Sequence, residues 1–255
     1  MTRDPSLLHP DRRLQRTKLL IGVTLLLSSV LAWWISLRQP DNVLMQVESL
    51  PNMLVFVALW TVMMAAMMFP SVFPTVWLFV AIAQSRMRFG FRPAPALTFI
   101  AGYLGAWAIV GFGVAAFNLA GKPVAHAGGP WVSGAALIGA GVYQFTRWKS
   151  FCLGHCRSPL HFFMEHWRDG INGALRMGAQ HGMYCVGCCW GLMLALIALG
   201  MMNPAWMLLI GFVISVEKIV PGGERLARWV GASLIAAGAA IALGIISLQT
   251  VVMEM

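Results

Sequence analysis

The chain has 255 residues, 59% of them hydrophobic and only 11% charged, with a net charge of +9. A soluble domain carries about a quarter of its residues charged, so that class is excluded, and no length is left over for a separate soluble catalytic domain. The basic residues sit at the ends of apolar runs, where membrane topology rather than nucleic-acid binding explains them.

Taken in chain order, residues 1–18 form a basic, polar segment assigned to the cytoplasmic side. No small-residue cleavage site follows the first apolar run, so that run is expected to be an uncleaved helix and not a signal peptide. Apolar runs then fall at 19–37, 53–83, 96–120, 131–145, 178–199, 206–220 and 229–252. Pro70 and Pro74 interrupt the second run, but either piece would be too short to span, and one long kinked or tilted helix is expected. The sequence therefore predicts an all-α, polytopic transmembrane helix bundle of about seven spans with a cytoplasmic N-terminus. Residues 19–252 form a single transmembrane helical domain, with a cytoplasmic Cys/His-bearing loop at 146–177. Every basic residue except Arg38 and Lys122 falls on the side shared with the N-terminus, as the excess of positive charge in cytoplasmic loops requires. Gly102, Gly105, Gly111, Gly113, Gly134, Gly139, Gly141, Gly231, Ala232 and Gly238 are small residues that let helix backbones approach closely in lipid.

All five cysteines lie between Cys152 and Cys189, together with four of the six histidines. Cys152 and Cys156, with His155 beside them, are four apart and share a face if the segment is helical. Gly154 leaves a looser turn open, and Pro159 ends any helix there. His181, Cys185 and Cys188 fall at helical positions 0, 4 and 7, which make one stripe, and Cys189 lies to its side. Thiolate and imidazole are ligands for soft or borderline metals. Three cysteines within five residues, one turn after a histidine, point to metal ligation; thiol redox chemistry and simple packing remain the alternatives.

The second span adds Met53, Trp60, Met64 and Met67 on one face. Thioethers select Cu(I), but methionine is also an ordinary gap-filler. Glu217 and Lys218 close the sixth span and read as a topology-setting charge pair at the membrane surface, with Arg176 or Arg157 as partners for Glu217. Residues 161–168 read as an interfacial helix, in which His161 and His166 are spaced poorly for chelation. No phosphate loop, dinucleotide fingerprint, serine-hydrolase elbow or zinc-protease motif is present.

Gly141, Tyr143, Gln144, Lys149, Cys152, Cys156, Arg157 and Pro159 form the first of three blocks that resemble a bacterial family of predicted metal-binding integral membrane proteins. The second runs through Gly178, His181, Gly182, Tyr184, Cys185, Gly187, Cys188, Cys189 and Trp190 to Glu217 and Lys218. The third holds Trp60, Met63, Ala66, Met67, Met68 and Pro70. The resemblance implies metal binding, with no substrate or reaction attached.

The expected function is transport, delivery or homeostasis of a transition metal, copper(I) first and zinc as the alternative, in a bacterial inner membrane. His181, Cys185 and Cys188 would form the core site. Cys189, Cys152 and Cys156 would form a second site or access point, and Met64 and Met67 a soft relay. The expected partners are the lipid bilayer, the metal ion, and a metallochaperone or metalloenzyme under assembly; nucleic acid is not among them, and enzymatic activity is not expected. Two other readings stand beside this one: a membrane thiol-disulfide oxidoreductase using Cys185 and Cys188, and a structural zinc site closed by Cys152, Cys156, Cys185 and Cys188.

Overall fold

A computed structural model of the chain describes residues 12–38, 50–86, 94–121, 129–200 and 203–246. Among these residues the fold is all helical: α1 (Arg12–Leu37), α2 (Leu50–Arg86), α3 (Ala94–Gly121), α4 (Gly129–Tyr143), α5 (Arg147–Arg157), α6 (Pro159–His166), α7 (Gly170–Gly200), α8 (Pro204–Ile219) and α9 (Gly223–Ala242). Each of the seven expected runs contains a helix. Four helical stretches, Pro51–Ala83, Ala94–Phe117, Gly170–Leu199 and Gly223–Ala242, are long and apolar enough to cross a membrane, which marks a membrane protein. Helices α4 and α8 have 15 and 16 residues, about 22–24 Å at the helical rise, short of the roughly 30 Å of a bilayer core. Most of the N-terminal segment 1–18 and the end of the last expected run, 247–252, lie outside the described residues.

The long second run is one helix of 37 residues with both prolines inside it. Proline has no N–H, so Pro70 leaves the carbonyl four residues earlier without its helical donor. That carbonyl belongs to Ala66, and the Ser29 hydroxyl on α1 donates to it at 2.8 Å. Helix α1 thus repairs the ladder of α2 from outside, as neighbouring helices do for prolines in lipid.

Glycines set two further helix pairs. A methyl at Gly178 on α7 would overlap the Phe99 carbonyl on α3, and one at Gly102 would overlap the Leu175 carbonyl on α7. On the other side, a methyl at Gly134 on α4 would sit 2.7 Å from the Gly238 carbonyl on α9, and one at Gly141 would sit 2.7 Å from the Gly231 carbonyl. Such close approach gains dispersion contacts where lipid supplies no hydrophobic drive between helices. Not every predicted packing glycine is used this way: Gly105, Gly113 and Gly139 have open space where a side chain would begin.

The expected loop at 146–177 is built from helix. Thr146 caps α5, its hydroxyl accepting from the Lys149 N–H at 3.3 Å. Lys149, Cys152, Leu153 and Cys156 are the buried residues of α5. Their spacing is that of a helix with one face packed inward, so the looser turn at Gly154 does not form. Pro159 opens α6 in its first turn, where its missing N–H is harmless. Helix α7 begins at Gly170, which has φ +82°, eight residues before the apolar run that predicted it. Hydropathy marks where a helix meets lipid, whereas its hydrogen bonds continue past that level through Arg176.

The largest core lies around α2, α3 and α7. Phe56, Trp60, Met64, Met68 and Phe79 of α2 are buried there with Phe99, Tyr103 and Trp107 of α3. The Trp60 indole donates to the Trp107 carbonyl at 3.2 Å. Large apolar side chains such as Leu27, Val30, Ile109, Phe117 and Phe212 face outward, as lipid contact requires.

Candidate metal centre

Cys185, Cys188 and Cys189 lie at positions i, i+3 and i+4 of α7, and all three are buried. Helical side chains lean back toward the N-terminus over the preceding turn, which carries the later two thiols toward the first. The Cys188 thiol donates to the Cys185 carbonyl at 3.1 Å and the Cys189 thiol to the same carbonyl at 2.8 Å. The three sulfurs lie within 4.8 Å of one another. A metal–thiolate bond is about 2.3 Å for zinc, so two sulfurs sharing one ion stand roughly 3.7–4.6 Å apart. The sulfur cluster is on that scale.

The two cysteine groups of the sequence do meet. Cys156 on α5 brings its sulfur to 3.7 Å from Cys188. Cys152 does not take the same position, because its sulfur packs on the α7 backbone. A methyl at Gly187 would sit only 2.5 Å from it. Cys152 also lines an open groove of about 1020 Å³ together with Tyr143, Trp148 and Tyr184. It lies on α5, outside the spans, and burial together with the nearby Cys188 pushes its thiol up to about 11. All five cysteines are free.

Three residues absent from the predicted ligand set touch Cys185. The Tyr103 hydroxyl on α3 is 3.0 Å from its sulfur. The Lys218 ammonium on α8 is also 3.0 Å from it, and the Met68 thioether on α2 is 4.0 Å from it. Lys218 further donates to the Ser71 hydroxyl at 3.3 Å and lies 3.9 Å from the Met68 sulfur. Met64 and Met67, the expected relay, are buried on α2, with Met67 turned toward Gly211 of α8. The sequence did hold a signal for Met68. Met64, Met68 and Ser71 follow the same 0, 4, 7 stripe that selected the α7 residues.

His181, one turn before Cys185, is buried among the rings of Phe162 at 5.1 Å and of Phe99 and Tyr103, each at 6.2 Å. Its Nδ1 has no hydrogen-bond partner. Among the described residues the group of ligand atoms lying within 4.8 Å of one another holds Cys185, Cys188 and Cys189 and not His181, so the expected His181–Cys185–Cys188 core is not brought together as one cluster. His161 is exposed and pairs with Glu165 at 3.3 Å, and His166 contacts its own helix through the Phe162 carbonyl at 3.2 Å.

Glu217 and Lys218 are not a surface pair. Glu217 meets Lys149 of α5 at 2.8 Å, with side chains 2% and 1% exposed. Gln144 accepts from the same ammonium. Arg157, an expected partner of Glu217, instead donates to the Val220 carbonyl at 3.0 Å. Counting charges at the ends of spans assumes that they face water, but Lys149 is buried against Glu217 of α8 and Lys218 against Met68 and Ser71 of α2 and Cys185 of α7.

Fold and site together define a helical membrane protein with a buried sulfur centre, a donor set suited to a soft cation. Residues 57–241 match the model of the PpoB2 family, described as copper chaperone, and the chain belongs to that family. The matched region runs from α2 into α9 and includes all five cysteines. No curated relative and no solved structure matches the chain. Membership of a copper chaperone family agrees with the resemblance to metal-binding membrane proteins read from the sequence.

Proposed function

We propose that this protein binds Cu(I) within the membrane as cargo and delivers it to a copper-requiring acceptor, a metallochaperone or a metalloenzyme under assembly. The observation that carries the reading is the sulfur cluster of Cys185, Cys188 and Cys189, within 4.8 Å of one another and closed off from water. Buried thiols with thioether support at 4.0 Å favour Cu(I) over harder ions. Membership of a copper chaperone family supports the same ion.

In this reading the chain crosses a bacterial inner membrane about seven times with its N-terminus in the cytoplasm. Cys156, at 3.7 Å from Cys188, is the step between the α5 side and the core site. His181 offers its unpartnered Nδ1, Cys152 stands at the groove as a peripheral sulfur, and Met64 and Met67 continue the soft surface along α2. A second reading is favoured by that same Cys156–Cys188 contact: four thiolates from two helices could close a structural zinc site.

The test is purification in detergent under reducing conditions with bound metals measured by mass spectrometry, beside a variant with Cys185, Cys188 and Cys189 changed to serine. Copper near one ion per chain, lost in the variant, is expected. Tightly held zinc that does not exchange for copper would favour the structural site instead.

A further inference from the structure

Lys218 is a buried lysine with no carboxylate partner among the described residues. Its sequence neighbour Glu217 is committed to Lys149 on the other side of α8, and no ion pair to Lys218 occurs among the described residues. Its ammonium contacts Cys185 Sγ at 3.0 Å, Ser71 Oγ at 3.3 Å and Met68 Sδ at 3.9 Å, and Cys188, Cys189 and the Tyr103 hydroxyl also lie close enough to interact with it. Of its three direct contacts only Cys185 can carry a negative charge. A charged group inside a membrane bundle is costly unless it is paired, so the placement of Lys218 is explained by a thiolate, and by what that thiolate binds.

We infer that Lys218 is the specificity-determining residue of the sulfur centre: its fixed positive charge selects a monovalent soft cation and discriminates against divalent ones. The inference rests on the copper reading above and deepens it. The argument is charge balance. Cu(I) is satisfied by two thiolates, which leaves the third cysteine a thiol, as Cys189 is where it donates to the Cys185 carbonyl at 2.8 Å. The two-thiolate Cu(I) group carries a net charge of minus one, which the Lys218 ammonium neutralises in place. Zn²⁺ on the same two thiolates is already neutral, and the ammonium beside it would be left uncompensated. The incoming ion also feels the ammonium directly, and in a low-dielectric interior a divalent ion meets twice the repulsion of a monovalent one at the same position. Thiolates alone bind both ions. What separates the ions here is a charge contributed by α8, a helix that supplies none of the three cysteine sulfurs.

The test uses the full chain in detergent under reducing conditions, incubated with equimolar Cu(I) and Zn²⁺ and then freed of loose metal. The readout is the copper-to-zinc ratio by mass spectrometry, with chromatographic homogeneity and helical content checked for each variant. Lys218→Leu, which removes the charge without adding a sulfur ligand, should lower the ratio by about tenfold or more relative to wild type, a shift of about 1.4 kcal/mol, through a gain in retained zinc. Lys218→Arg, which keeps the charge, should restore most of the wild-type preference. If Lys218→Leu does not fold, Lys218→Gln decides, since it keeps a donor for Ser71 while removing the charge. A folded uncharged variant with the wild-type ratio would overturn the inference while leaving copper binding intact. Wild-type protein that takes up no copper at all would overturn the copper reading itself, and the inference with it.

Discussion

Glu217 and Lys218 are consecutive on α8 yet reach different neighbours: the Glu217 carboxylate meets Lys149 of α5 at 2.8 Å, and the Lys218 ammonium meets Cys185 of α7 at 3.0 Å. Successive helical positions are about 100° apart, so the two charges tie two separate elements to one helix end. Glu217 fastens the short α5, which carries Cys152 and Cys156, and Lys218 sits against the sulfur centre.

The Lys149–Glu217 pair is expected to be essential to the docking of α5. Removing one partner of a buried ion pair leaves the other uncompensated and costs about 3–5 kcal/mol. Lys149→Met should therefore lower the thermal midpoint in detergent sharply. Replacing both partners, as Lys149→Met with Glu217→Leu, should recover much of the loss. A double variant no more stable than the single one would rule out this account.

Glycine substitutions should separate the packed helix faces from the open ones. Gly178→Ala drives a methyl into the Phe99 carbonyl, and overpacking of this kind costs about 1–3 kcal/mol. Gly105→Ala meets open space and should be neutral or slightly stabilising through helix propensity. Unfolding of the two variants in the same detergent would check this, and equal midpoints would contradict the assigned α3–α7 interface.

Met68 and Met67 should differ in their effect on copper. Met68→Leu removes the thioether 4.0 Å from Cys185 and should weaken Cu(I) binding about tenfold, roughly 1.4 kcal/mol. Met67→Leu, on the Gly211 side, should change it less. Competition against a chromophoric Cu(I) chelator measures both, and the reverse ranking would favour the relay written from the sequence.

Cys152 should alkylate slowly near neutral pH. Its thiol is held up to about 11, and only the thiolate is a nucleophile. The thiol therefore stays protonated through neutral pH, and its reactivity should climb only as pH rises toward that value. Site-resolved mass spectrometry of the iodoacetamide-treated intact chain gives the profile. Rapid labelling of Cys152 at pH 7 would contradict it.

Much of this was legible in the sequence because helical periodicity is a local property. The stripe joining Cys185 and Cys188, the shared face of Cys152 and Cys156, and the unbroken helix through Pro70 and Pro74 each depend on spacing within one segment. What was missed depends on which helices touch. Tyr103 and Cys185 are 82 residues apart in the chain, and Lys218 and Met68 are 150 apart. Nothing in local spacing brings such residues together. Lys149 and Lys218 were read as charges at the ends of spans, and charge counting carries no information on whether an ammonium faces water or a sulfur.

The hydroxyl of Ser29 has one more consequence. It stands in for the proton that Pro70 lacks, so the integrity of the longest helix is decided by a side chain on another one. Shortening the chain from its front would unsplint α2 at Ala66, the turn just before Met67 and Met68. The first helix supplies no sulfur, yet it is part of the frame that keeps the Met68 thioether facing Cys185.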